Sequence, residues 1–263
     1  MLFTDQTVSR PVWLHREKHL AVGRVLTRTN WIAMNKKALL LLPCLLTAAP
    51  VVSCTTCDPD VRKAISDSSF YPNLLTMLSA FIVLGLIVLA LGVAARKWES
   101  RRRKAGTEHI TVVPLLSAAT TLGIAFGGFI DGIFFHQILQ WHEMLSFRLP
   151  PVTLINKSVN MFWDGIFHLF CLIVAITGLY LLLQLFHRRN VLVTTGAFTG
   201  SLVLGWGIFN LVEGVIDHHL LRLHNVREVS DHVPLWNYGF LSVSVLLVIG
   251  GVLIIRRGIP RQP

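Results

Sequence analysis

The chain has 263 residues, 53% of them hydrophobic and 14% charged, with a formal net charge of +10. A soluble domain of this length carries about 25% charged residues. The deficit, together with several near-uncharged apolar runs, excludes an ordinary soluble globule and points to a polytopic membrane protein. The positive charge does not describe a nucleic-acid surface either, because the basic residues stand in short clusters between apolar runs, as topology signals do.

Residues 1–33 are mixed, basic and non-periodic, and are expected to be a mis-called or disordered extension ahead of the true start at Met34. The next stretch, MNKKALLLLPCLLTAAPVVSC, has a positive start at Lys36 and Lys37, an apolar core and small residues before Cys54. It reads as a secretory signal peptide over 34–53. VVSC also loosely fits a lipoprotein site, which would make Cys54 a lipidated residue. Cys54 and Cys57 form CTTC, which suits a disulfide, a metal pair, or a lipid anchor with a spare thiol. Cys171 stands alone in an apolar run, as a packing residue does.

The segment 54–105 contains CTTC, a first spanning helix at Leu74–Ala95 and the basic stretch RKWESRRRK. A membrane domain follows over 106–263, with spans expected near Ile110–Phe135, Met161–Phe186, Val191–Val215 and Leu235–Ile255. The loop SFRLPPVTLINKSVN separates the first two of these, with Pro150 and Pro151 ending the preceding helix. The clusters Arg96–Lys104, Arg188–Arg189 and Arg256–Arg261 then all fall on one side. By the positive-inside rule this predicts a bacterial inner-membrane protein with its mature N-terminus outside and its C-terminus cytoplasmic.

Polar groups gather on the other side. His136 and His142 close the second span, Asp164 and His168 open the third, and Glu213, His218, His219 and His224 close the fourth. Two phrases within this set superpose: GGFIDGIFFHQILQWHEML and GIFNLVEGVIDHHLLRLHNV. Asp131 matches Glu213 at an offset of 82 (213 − 131 = 82), and Gly132/Gly214, His136/His218, Leu139/Leu221 and His142/His224 keep it. The predicted fold is therefore all-α: a four-helix bundle made from a duplicated helical hairpin, plus one N-terminal spanning helix.

Those phrases, with FWDGIFH, resemble a bacterial family of predicted membrane proteins of unknown function, of the DUF 2243 type. The resemblance covers about Ile110–Arg257 and implies a multi-span inner-membrane location without an established chemistry. Relatives often carry two adjacent histidines where this chain has His142-Glu143 and His224-Asn225.

Ionisable residues within spans are costly, and usually face the bundle interior or a cavity. On an α-helix Asp131 and His142 share a face three turns apart, while His136 lies on another. One helix would then be unable to gather its own histidines, and a site would need ligands from several helices. Imidazole with carboxylate suits copper or iron, with zinc as an alternative. Haem between opposing histidines is the weaker reading. The candidate metal ligands are Asp131, His136, His142, Asp164, His168, Glu213, His218, His219 and His224. Gly132, Gly165 and Gly214 are expected at close helix contacts, and Trp141, Trp163 and Trp236 at the membrane interface. The function expected from this pattern is redox chemistry or metal handling for respiratory enzymes, with a respiratory oxidase or its assembly factors as partners. An ion- or proton-coupled transporter is the alternative, and a metal-free structural partner the third reading.

Overall fold

The computed structural model describes residues 58–102, 110–188 and 190–259. They belong to one of two compact units of the chain, Ser53–Pro263. The other, Met1–Val52, lies outside the described residues, and so do Cys54 and Cys57. The expected extension, signal peptide and CTTC chemistry therefore fall on residues that are not described.

A short helix α1 (Pro59–Ile65) starts where Asp58 accepts the N–H of Asp60 at 2.8 Å, with proline at the first helical position. Then come α2 (Phe70–Arg102), α3 (Val113–Phe129), α4 (Leu154–Gln184), α5 (Thr195–Glu213) and α6 (Val233–Gly258). Two of these do not stop where their α-helical winding stops. α3 runs on as a π-helix over Ile130–Ile138, and α5 as a π-helix over Gly214–Leu220. A 3₁₀ turn, Leu185–His187, follows α4. Among the described residues, five stretches are long and apolar enough to cross a bilayer: Phe70–Ala94, Val113–Ile138, Leu154–His187, Thr195–Leu220 and Val233–Gly258.

The expected spans fall on these helices, and the largest difference is at α4. It begins at Leu154, inside the stretch read as loop, because Thr153 caps it by accepting the N–H of Asn156 at 3.1 Å. The polar run Asn156-Lys157-Ser158 conceals this start from a hydropathy reading.

α3 and α5 form the centre. α5 packs against α3 and α6, and α3 packs against α4. The central pair is largely buried, whereas the flanking helices turn apolar side chains such as Leu86, Ile176 and Ile249 outward. The central contact is set by two glycines. A Cβ on Gly123 would run into the Leu202 backbone carbonyl, and one on Gly205 into the Thr120 carbonyl. Only glycine lets the two backbones approach this closely. α2 lies against the same core through Met77 and Leu84, and Phe81 rests on Phe167 and Phe170 of α4.

Two of the smaller expectations need correction. Gly132 and Gly214 are close-packed, against His168 and Leu241, but a Cβ on Gly165 would meet nothing within 4 Å. Trp163 is no interfacial anchor: it is 1% exposed, and Phe70 packs on its ring. Trp141 and Trp236 meet edge to face with centroids 5.1 Å apart, and the Arg227 guanidinium lies over both, its Cζ 5.3 Å from each ring centroid.

Candidate metal centre

The sequence carries an acid, then a histidine five residues later, then another histidine six further on. On an α-helix this spacing scatters the three groups. The π-helices change that, because a turn closed by i→i+5 bonds stacks residues five apart. Asp131 and His136 meet with Oδ2 2.9 Å from Nε2, and Glu213 Oε1 lies 3.8 Å from His218 Nε2. The expectation that one helix end is unable to assemble its own ligands is therefore corrected.

The outer histidines do not belong to the helices at all. Each chain end leaves its π-helix through a residue with positive φ, Gln140 at 50° and Arg222 at 47°, 82 positions apart. The amides of Trp141 and Leu223 return to the carbonyls of Phe135 and Asp217. That reversal folds His142 and His224 back over the helix ends. His142 Nε2 then lies 3.5 Å from Asp131 Oδ1, and His224 Nε2 lies 3.6 Å from Glu213 Oε1. A left-handed conformation costs a side-chain-bearing residue about 1–2 kcal/mol, part of which glycine recovers. Arg222→Gly is accordingly expected to raise stability by up to about 1 kcal/mol and Arg222→Val to lower it, as read by thermal unfolding in detergent.

Reciprocal hydrogen bonds orient the two outer rings. His142 Nδ1 donates to the Val226 carbonyl at 2.8 Å, and His224 Nδ1 donates to the Met144 carbonyl at 3.1 Å. A carbonyl only accepts, so Nδ1 carries a proton in both rings, and the neutral form of each keeps a free lone pair on Nε2. The backbone that supplies these carbonyls is itself held: the Met144 amide donates to Asp164 Oδ1 and the Val226 amide to Asn237 Oδ1. The two imidazoles lie parallel, with centroids 4.6 Å apart and planes 7° from each other. Burial holds the His224 imidazole well below its usual range, with the neighbouring His142 and His218 adding to the effect, which leaves it neutral and able to ligate.

The cluster is buried but not self-satisfied. His142 Nε2, His224 Nε2, both ring nitrogens of His218, Glu213 Oε2 and Asp131 Oδ2 have no hydrogen-bond partner. His136 Nε2 also makes none, although Asp131 is only 2.9 Å away, because the two atoms are poorly aligned. Buried polar groups are nearly always hydrogen-bonded, so this many orphans in one place call for a further atom between them. Among the described residues, two groups could hold a cation: His142, Glu213, His218 and His224, and separately Asp131, His136 and His142. In each, one donor atom per residue lies within 4.8 Å of the others. With imidazole and carboxylate donors and no thiolate, the set suits copper, iron or zinc.

The remaining expected ligands stand apart from these sets. Asp164 faces His136 Nδ1 at 2.8 Å and orients that ring rather than joining a set. His168 donates from Nδ1 to its own helix at the Asp164 carbonyl, stacks on Phe129 and turns its Nε2 toward Gly132. His219 donates to the Gly214 carbonyl and lies against Tyr238. The sequence reading passed over Asp217, which is 3% exposed with Oδ1 unpartnered. Its only signal is an acid inside VIDHH, and its partner position in the first phrase is Phe135. Glu143 was also missed: it pairs with Lys157, and burial pushes its carboxyl above the usual range against the pull of that lysine.

Losing an orienting carboxylate typically lowers metal affinity by about 10- to 100-fold. Asp164→Asn should cost less than that, because His136, the ring it orients, lies outside the four-residue set. It should leave the fold intact, since Asn237 accepts the equivalent amide on the other side. Metal titration and thermal unfolding of the same variant separate the two outcomes.

One family model, described as "Predicted membrane protein (DUF2243)", matches residues 118–258. No curated protein and no solved structure matches the chain.

Proposed function

The chain belongs to this DUF2243 family of predicted membrane proteins, and on that premise we propose that it binds one transition-metal ion, copper or iron with zinc as the alternative, through His142, Glu213, His218 and His224. The observation that carries this is the convergence of buried, unpartnered imidazole nitrogens on a carboxylate, with two of the rings held by backbone carbonyls in the ligating tautomer. His142 can serve only one ion, since its Nδ1 is engaged. Once it joins the four-residue set, Asp131 and His136 are too few to hold a second ion by themselves. They stand beside the first as a polar pair able to take up or release a proton. Imidazole centroids 4.5 to 6.0 Å apart leave no slot for a porphyrin between them, which favours a bare ion over haem.

We further read the helices as a four-helix bundle derived from a duplicated hairpin. Support comes from pairs of features at the 82-residue offset: the two π-helices, the positive φ angles, the crossed histidine–carbonyl bonds and the Gly123/Gly205 contact. The end opposite the cluster is basic, with Arg96 and Arg188 lining one cleft and Arg256 and Arg257 closing α6. By the positive-inside rule that end would be cytoplasmic in an inner membrane, which puts the metal on the outer side. Redox chemistry or metal handling there, beside a respiratory oxidase or its assembly factors, is the role that fits an outward-facing His/carboxylate centre. A transporter fits less well, because its sites normally lie near the midplane. Elemental analysis and an optical spectrum of detergent-purified protein test the reading. About one equivalent of a transition metal, no haem absorption, and full retention in His187→Ala at the other end are expected. A metal-free wild type would leave the cluster as a structural network.

A further inference from the structure

A cavity of about 580 Å³ opens between α3 and α6 beside the cluster. Its walls are aromatic: Phe134, Phe135, Trp141, Trp206, Trp236 and Phe240. Leu235 and Val243, both more than half exposed on α6, mark a mouth on the side of the helices, where a bilayer would lie. Its size falls within the range of small-molecule sites, which combine apolar walls with a few convergent polar groups. Two such groups are present. Asp131, 3% exposed, reaches the cavity wall with its Oδ2 2.9 Å from His136 Nε2 but not aligned to bond it, and Asn210, 7% exposed, lines the same wall. Asp131 thus belongs to both the cavity and the histidine cluster.

The corresponding groove on the other side of the centre differs. There α2 lays Met77, Phe81 and Leu84 against the core, and at position 128, 82 before Asn210, a glycine faces the Cys171 thiol. One groove is filled by the protein's own apolar side chains, and the other keeps its aromatic walls and its polar end.

We propose that this cavity binds a lipid-soluble quinol, with its ring between the aromatic walls, its hydroxyls at Asp131 and Asn210, and its apolar tail leaving past Leu235 and Val243. A planar ring matches walls made of flat side chains. A hydroxyl gives Asp131 Oδ2 a donor and the Asn210 amide an acceptor, which an acyl chain does not. Quinols also partition into the bilayer at the cavity's mouth. The inference names a ligand for the proposed metal centre and in that sense rests on the metal reading, but the binding it describes can be measured without metal.

Gly239 lines the cavity, and a Cβ there would meet nothing within 4 Å, so Gly239→Leu starts its side chain in open space at the cavity wall. Asn210→Leu removes the amide while keeping the branched shape of the side chain. The test is retention of decyl-substituted benzoquinol by detergent-purified protein, with metal content and unfolding temperature measured on the same samples. Saturable binding near one per chain is expected in the wild type. Both variants should weaken it by about tenfold or more while keeping their metal and unfolding temperature, and decylbenzene, which lacks the hydroxyls, should not compete. Wild-type retention by both variants overturns the proposal, as does equal competition by decylbenzene, which would make the cavity an acyl-chain site. Quinol binding that is lost in Gly239→Leu, in a wild type that holds no metal, sustains the cavity and removes only the metal centre.

Discussion

His142→Ala is expected to abolish the proposed metal binding, although His142 belongs to the first of the two matching phrases and the other three proposed ligands to the second. The reason is geometric. Glu213, His218 and His224 come from one helix end and its reversal, and His142 reaches them only because Gln140 turns the other chain end back across the axis. Its ring lies 4.6 Å from His224 and 6.0 Å from His218, and its Nδ1 is fixed by Val226. Losing a residue that merely orients a ligand costs about 10- to 100-fold in affinity. Losing the ligand itself should exceed that, and His218→Ala should match it. His136→Ala should cost less, because His136 lies outside the four-residue set, between Asp131 and Asp164. Competition titration against a chelator of known affinity ranks the three. Equal, small and additive losses would mean that no ion is shared between the two halves.

Gly205→Val should abolish the folded protein rather than tune it. The added branch would strike the Thr120 carbonyl and approach the Ile124 amide nitrogen at 2.8 Å and the Gly123 Cα at 2.9 Å. Backbone atoms of a packed helix cannot rotate aside as a flexible side chain can. Overpacking in ordinary cores costs about 1–3 kcal/mol, and a clash with a whole turn of helix backbone should exceed that range. α3 and α5 would have to separate, and the ligands at their ends would separate with them. Gly250→Ala is the control, since nothing lies within 4 Å of its Cβ. Gel filtration in detergent should show aggregation for Gly205→Val and a wild-type profile for Gly250→Ala. A monodisperse Gly205→Val with unchanged unfolding temperature would contradict the close central contact.

The number and rough extent of the apolar helices were legible from hydropathy because length and charge exclusion leave a chain in lipid few choices. Repetition at an offset of 82 was enough to bring Asp131, His136, His142, Glu213, His218 and His224 together before any coordinates. What the pattern concealed is how each chain end is wound. An α-helical wheel separates Asp131 from His136, and only an extra residue per turn lets them meet. Nothing in IDGIFFHQI distinguishes that winding from an ordinary helix. The reversal at Gln140 and Arg222 was equally hidden, because neither residue type advertises a left-handed conformation as glycine would. Asp164 and His168 looked like ligands on spacing alone, yet Asp164 is engaged by His136 and the Met144 amide, and His168 bonds through Nδ1 to its own helix, apart from both groups. Asn237 shows the converse. It stands where Asp164 stands in the first half, accepting the amide of Val226 as Asp164 accepts that of Met144; its place in the polar layer at the head of the last span was legible, but an uncharged side chain gave no sign of that role.

The central claim is that a single metal ion sits among His142, His218, His224 and Glu213, and X-ray absorption at the metal edge of the purified, metal-loaded protein tests it most directly. The predicted spectrum has a first shell of nitrogen and oxygen only, at about 2.0–2.1 Å if the metal is zinc. It should also carry the outer-shell scattering of about three imidazoles, and that scattering should diminish in His224→Ala. A first shell containing sulfur, a spectrum without imidazole scattering, or one unchanged by the loss of His224 would contradict the claim.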